Sequence, residues 1–421
     1  MFLQYNKNFL CLLFYFIPFA LVIGTFFTNL SVALICIIFL VLILIEGKKN
    51  NFFNKIFIYF IFWYFALLVS SIFSSDPFFS LSSSLFYFRF GLFSIAVWYI
   101  IKTNENALKY FTYALLLAFV IVIIDGYIQY FYGQNILGYP YTNGRLGGLF
   151  GDELILGNYL SRLYPLLLGL IFLNFINKKG YLYFTFLLFI LIDILIFLSG
   201  ERVAFLNLII SAFLIILLID KWKKFRILSF AFSILVILII SISNVNVKNR
   251  MVDQTINKLG IGAETKYLFS EEHQNFYVSS IKMFFDKPLI GNGPKMYRKL
   301  CYDEKFFYVS ENTGVNTCSS HPHGTYPQLF AEVGIIGSFP VIFCFCYILF
   351  FIFNHLYLKV SKNQTSLTDY QICIIVAIFL SLWPIIPSGN FFGSWLSTIY
   401  YLPVGFLLHS FANNKRSFKL K

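Results

Sequence analysis

"NLSVALICIIFLVLILI", residues 29–45, settles the class of structure that this chain builds. It carries no charge, and a helix of this length comes close to spanning the hydrocarbon core of a bilayer. Lys48 and Lys49 follow almost at once. Similar runs recur along the 421 residues, which are 59% hydrophobic, 21% aromatic and only 12% charged, with a mean hydropathy of +0.76. Soluble domains carry about a quarter charged residues and could not hide this much apolar surface. The chain reads as an all-α, polytopic protein of the lipid bilayer.

Working outward from 29–45, twelve apolar segments are expected to span the membrane. They are 9–27, 29–45, 56–73, 84–101, 110–132, 154–176, 181–198, 203–219, 227–243, 328–353, 371–386 and 395–409. The first has no small-residue cleavage site after it and reads as an uncleaved span rather than a signal peptide. One set of loops holds Lys7, Lys48, Lys49, Lys55, Lys102, Lys109, Lys178, Lys179, Lys221, Lys223, Lys224, Arg226, Lys359, Lys362, Lys415, Arg416, Lys419 and Lys421. The opposite short loops hold only Arg89, Arg145 and Arg202. By the positive-inside rule the first set is cytoplasmic, and both termini lie inside. The chain divides into 1–243 (spans one to nine), 244–327 (one large extracytoplasmic loop) and 328–421 (three further spans and a cytoplasmic tail).

The net charge of +13 follows from those loops, and no basic soluble domain is present to hold a nucleic acid. The 55 phenylalanines accompany an excess of Ile, Leu, Asn and Lys that codon composition alone could produce. Five cysteines lie in apolar runs, where cysteine acts as a small hydrophobe. Cys301 and Cys318 lie in the large loop, without the CxxC spacing of a zinc site. Both face an oxidising compartment, and they are expected to form a disulfide.

Ionisable residues within spans are costly and usually face a cavity or a partner. Arg89, Asp125, Arg162, Asp193, Glu201, Arg202 and Glu332 all fall in the outer halves of their segments. Arg162 lies about 12 Å deep at 1.5 Å per residue. Snorkelling would account for Arg89 and Glu201. A polar chamber open to the outer leaflet fits the set better than a transport path, which needs charge near the midplane. Arginine suits phosphate because its planar fork makes paired charge-assisted bonds, and Arg145 sits in a glycine-rich loop, "TNGRLGGLFGDE" (142–153).

A second stretch, "SSHPHGTYPQLFAEVGIIG" (319–337), sets two histidines at the mouth of an apolar helix. Pro322 biases His321 toward extended geometry, in which residues two apart face the same way. Pro327 suits the first turn of the helix. His323 then precedes a positive helix end, which favours the neutral imidazole a general base needs. A metal site lacks a third ligand at a recognisable spacing, and a purely structural loop is the plain alternative. Gly334 and Gly337 read as helix-packing contacts.

The order "PLIGNGP" (288–294), then "HPHGTYPQLFAEVGIIG", resembles the O-antigen ligase and polymerase family. "RLGGLFGDELILGNYL" (145–160) and "SGERVAF" (199–205) resemble its earlier segments. The resemblance implies a GT-C-like membrane glycosyltransferase at the outer face of a bacterial inner membrane. Its donor would be an undecaprenyl-diphosphate-linked glycan, and its acceptor lipid A-core or another lipid-linked repeat, with neither cofactor nor metal. By position, His323 would activate the acceptor hydroxyl and Arg202 would hold the diphosphate. Arg145, Arg162, Arg250, His273, Arg298, His321 and Glu332 are the candidate substrate-binding residues. Two positions depart from the family pattern. Gly324 stands where Asn is usual, and His273 stands where many relatives have Arg, leaving Arg250, Arg298 or a protonated His273 to supply a second cation. A transporter of lipid-linked glycans, without chemistry, is the alternative.

Overall fold

The computed structural model describes residues 2–47, 52, 55–175, 179–261, 267, 270–308 and 318–413. The long helices are α1 (Phe2–Ile23), α2 (Thr25–Glu46), α3 (Lys55–Ile72), α4 (Pro77–Ser84), α5 (Phe88–Thr103), α6 (Ala107–Tyr132), α7 (Leu156–Phe175), α8 (Lys179–Leu198), α9 (Arg202–Leu218) and α10 (Lys223–Ser243). Short helices α11 (Val245–Lys248) and α12 (Gln254–Lys258), joined by a π-turn at Asn249–Asp253, lead to α13 (Glu271–Asp286) and α14 (Tyr297–Leu300). The chain closes with α15 (Thr325–Lys362), α16 (Asp369–Leu382) and α17 (Ser394–Asn413). Among the described residues there is no strand, only two isolated bridges.

Each of the twelve expected segments falls on a helix. Nine stretches of helix among the described residues are long and apolar enough to cross a membrane, and α9 and α16 are apolar but shorter. The protein is a multi-pass membrane protein. The segment expected at 371–386 stops at Leu382, because Pro384 and Pro387 cannot continue it and the chain runs irregularly to Ser394. Lys48, Lys49, Lys178, Lys415, Arg416, Lys419 and Lys421, assigned above to the cytoplasm, lie outside the described residues, as does the side chain of Lys179.

The best-buried helices include α5, α7 and α16, and α7 encloses Tyr159, Tyr164 and Leu166–Leu170. Helix α5 packs most extensively on α17, and α7 on α16. Peripheral α3 and α10 instead turn Ile58, Phe62, Phe65, Leu235, Leu238 and Ile239 outward, as lipid-facing helices should.

Several buried charges serve the scaffold rather than a chamber. Asp193 and Arg226 form a salt bridge at 2.9 Å, both almost fully buried, with Ser233 Oγ donating to Asp193 at 3.1 Å. This corrects two expectations: Asp193 is not a chamber residue, and Arg226 is not a cytoplasmic loop charge. A charge in hydrocarbon is tolerable when paired, and three aromatic rings (Tyr164, Phe189 and Phe230) stand within 5.3 Å of the guanidinium. Asp125 accepts from Ile136 N–H at 3.1 Å and from Asn135 Nδ2 at 3.3 Å, anchoring the loop after α6. Glu201 accepts from Gly157 N–H at 2.6 Å and from Asn158 Nδ2 at 2.6 Å, so it caps α7.

Helix α15 breaks at Gly334, which has φ 61° and ψ −164°. The amides freed by the break are taken by the "PLIGNGP" turn. Ile335 N–H donates to Pro288 C=O at 2.8 Å and Ile336 N–H to Leu289 C=O at 3.0 Å. In return Asn292 N–H donates to Ala331 C=O at 3.1 Å and Gly293 N–H to Glu332 C=O at 2.7 Å. Gly334 is therefore a break in the helix, and its close contact is with this turn rather than with another helix as expected. A Cβ there would meet the Leu289 carbonyl carbon at 2.5 Å. Gly337 does contact a neighbouring helix, since its C=O accepts from Trp63 Nε1 at 2.8 Å.

Candidate active site

Two glycine turns bring three arginines together. Gly200 (φ 72°) lies so close to the 142–145 turn that a Cβ would meet Gly144 C=O at 2.4 Å and Arg145 Cγ at 3.0 Å. Gly144 (φ 69°) lies against Arg250, whose Cβ would be 2.8 Å away. Arg250 Nε donates to Gly200 C=O at 3.1 Å, and Arg202 Nη2 donates to Arg250 C=O at 3.1 Å. Both guanidinium groups also donate to Gln254 Oε1, at 3.0 and 2.9 Å. Burial first, then Arg202 and Arg145, push Arg250 down to about 10. Arg145 spends Nη2 on Leu154 C=O, and its Nε is buried without a hydrogen bond. Like charges held this close favour an anionic ligand between them.

The histidines form a row that begins on α13 with His273. The His321 and His323 ring centroids are 4.1 Å apart, and those of His323 and His273 are 5.8 Å apart. The rings meet by a different route from the extended one expected. His323 adopts the left-handed conformation, φ 52°, which costs about 1–2 kcal/mol for a residue with a Cβ. Its C=O is held by Ser388 N–H at 3.0 Å and by the Tyr277 hydroxyl at 3.4 Å. Each imidazole has a serine: His273 Nδ1 with Ser270 at 2.7 Å, His321 Nδ1 with Ser320 at 2.9 Å, His323 Nε2 with Ser319 at 3.1 Å. Among the described residues, no group of three His, Cys, Asp or Glu is placed to hold a metal ion.

Burial controls the protonation of this row. It pushes His273 down to about 4, aided by His323, and His321 down to about 3, aided by His323 and Arg298. His323 also falls below the usual imidazole value, with Glu272 opposing the shift. All three rings are neutral at pH 7. His273 therefore supplies no cation there, and the guanidinium adjoining Arg202 is that of Arg250. Glu272, which faces Arg202 and His273, is paired with Lys258 at 2.9 Å.

Gly324, at the N-cap of α15, has no room for a side chain. A Cβ would meet Tyr277 Cε1 at 2.9 Å and Pro327 Cγ at 3.0 Å. Cys301 and Cys318 are joined as a disulfide, with Cα atoms 5.1 Å apart.

Residues 184–342 match the family model described as O-antigen ligase. Over this region the chain is similar to the O-antigen ligase family. A comparison with curated proteins returns no match. The matched region takes in Arg202, Arg250, His273, Arg298, His321, His323 and Glu332, whereas Arg145 and Arg162 lie before it.

The other candidates occupy different surroundings. Arg162 is buried between Leu380 C=O, at 3.4 Å, and the Tyr400 ring, at 5.5 Å. Glu332 has both oxygens engaged, by Tyr297 N–H at 3.1 Å and Gln328 Nε2 at 2.9 Å, beneath the "PLIGNGP" turn. Arg298 stands on the His321 side. Sequence reasoning missed Gln254, Glu272, Tyr277 and the three serines of the candidate site. Only Glu272 carried a signal, as the acidic neighbour of His273 in "SEEH".

Proposed function

We propose that the protein transfers or polymerises an undecaprenyl-diphosphate-linked glycan at the outer face of the bacterial inner membrane. The observation that supports this most directly is the Arg145–Arg202–Arg250 cluster, which neighbours a row of neutral imidazoles through Glu272 and His273. The cluster holds the diphosphate of the donor. His323 takes the proton of an acceptor hydroxyl as its oxygen bonds to the anomeric carbon. The anomeric C–O bond to the diphosphate breaks, and undecaprenyl diphosphate leaves with the electron pair. The arginines stabilise the charge that develops on the leaving oxygens, and no nucleotide sugar, cofactor or metal takes part.

In this proposal twelve segments cross the membrane, residues 244–327 lie outside it, and both termini are cytoplasmic. The acceptor is lipid A-core (ligase) or another lipid-linked repeat (polymerase). Incubating the purified protein with lipid-linked glycan and each acceptor tests the reaction, with release of undecaprenyl diphosphate as the readout. A transporter would move the lipid and release none.

A further inference from the structure

Two cationic groups, not one, flank the imidazole row. Arg145, Arg202 and Arg250 stand on the His273 side, where Arg202 faces Glu272. Lys295 and Arg298 stand on the opposite side, where Arg298 faces His321. The second group belongs to the turn after "PLIGNGP", and its placement is tightly specified. Lys295 is held at φ 63°, a conformation a lysine adopts only under constraint. The constraint comes from Met296 N–H to Gly293 C=O at 3.1 Å and Tyr297 N–H to Glu332 Oε1 at 3.1 Å.

The same turn carries Lys299, which pairs with Asp76 at 2.6 Å. Lys295 and Arg298 make no ion pair among the described residues, and Arg298 Nε is buried without a hydrogen bond. Glu332, the nearby carboxylate, already engages Tyr297 N–H and Gln328. Lys295 and Arg298 repel each other, and their one nearby carboxylate, Glu332, opposes that repulsion without forming an ion pair with either; a phosphate oxygen between them would remove the rest of that cost. The donor diphosphate does not fill this role, because the three arginines beyond His273 already provide for it.

We propose that Lys295 and Arg298 bind a phosphate group on the acceptor, so that donor and acceptor anions sit on opposite sides of the histidines. This rests on the glycan-transfer function above. The phosphate belongs either to lipid A-core or to a second lipid diphosphate.

The test uses the full-length protein in nanodiscs, with an undecaprenyl-diphosphate-linked glycan as donor. Acceptors come in matched pairs: lipid A-core before and after phosphatase, and a short repeat on farnesyl diphosphate or on farnesyl ether. For whichever glycan is accepted, loss of the phosphate should raise the acceptor KM of the wild type about tenfold, the scale of one charge-assisted bond. Lys295→Met and Arg298→Met should raise it comparably and become indifferent to the phosphate. Lys295→Arg should restore the preference, which separates a charge contact from misfolding. Donor KM should move less than about twofold. A shift in donor KM instead, or a wild type blind to acceptor phosphate, overturns the proposal. If the wild type releases no undecaprenyl diphosphate with any acceptor, glycan transfer itself is wrong and this assignment goes with it.

Discussion

The His321 and His323 rings lie 4.1 Å apart, inclined at 43°, because His323 turns back through a left-handed backbone. Two imidazoles this close cannot both take a proton easily, and burial already disfavours the charge on each. One neutral ring can accept the acceptor proton while the other stays uncharged.

If His323 is the base, His323→Ala should lose about 10²–10⁴-fold in turnover, and His321→Ala should retain more. Transfer rates of both variants in membranes, at matched expression, decide it. Wild-type activity from His323→Ala would leave the ring a purely structural role.

The pH dependence has a defined sign. Folded His321 and His273 titrate at about 3 and about 4, and His323 below the ordinary 6.5. The unfolded chain therefore binds more protons as pH falls below about 6.5, and stability is lost over that window. Activity should likewise hold at neutral pH and fall only on its acid side. Thermal unfolding and kcat/KM measured from pH 4 to pH 8 check both, and stability that rises on acidification would contradict the burial argument.

Arg202→Lys keeps a charge but loses the fork that serves Arg250 C=O and Gln254 together. It should raise donor KM and lower turnover, and Arg250→Lys should do the same. Arg162→Lys, away from this cluster, should affect folding yield more than donor KM.

The membrane class and the helix positions were legible in the sequence because apolar runs and Lys/Arg flanks are local signals. The arginine cluster was legible only as residue type. What brings it together is the contact of Gly144 with Arg250 and of Gly200 with Arg145, and no spacing rule announces contacts between distant turns. The misreadings have the same origin. Asp193 found its partner 33 residues away in Arg226, and the break at Gly334 leaves Ile335 and Ile336 N–H to bond a turn that precedes them by more than a helix's length.

Gly324 tests a departure from the family pattern. Gly324→Asn would place a Cβ 2.9 Å from the Tyr277 ring, an overpacking that costs about 1–3 kcal/mol. It should lower the melting temperature and not raise activity. Adding Tyr277→Ala should recover part of the stability if the ring is the obstacle.

Topology and the disulfide can be read in one preparation. A cysteine introduced at residue 260 should label with an impermeant thiol reagent in intact cells, and one at residue 223 should not. Cys301 and Cys318, separated by 17 residues, should appear as a linked peptide in non-reduced mass spectra. The closed loop is worth roughly 3 kcal/mol by chain entropy. Labelling at 223 but not at 260 would reverse the orientation on which the site depends, and unlinked peptides would overturn the disulfide.

The Asp193–Arg226 pair separates scaffold charge from functional charge. Both groups are almost fully buried; Ser233 donates to Asp193 and Ser229 accepts from Arg226 Nη1, while Arg226 Nε has no hydrogen bond. Removing one partner strands the other in a low-dielectric interior, at a cost of about 3–5 kcal/mol. Asp193→Leu or Arg226→Met alone should therefore sharply reduce the yield of folded protein. The double variant replaces the pair with apolar side chains and should recover much of the yield, since a buried pair gains little over good packing. Donor and acceptor KM of the recovered double variant should match the wild type. If the double variant folds well but no longer transfers glycan, the pair is part of the reaction and not of the scaffold.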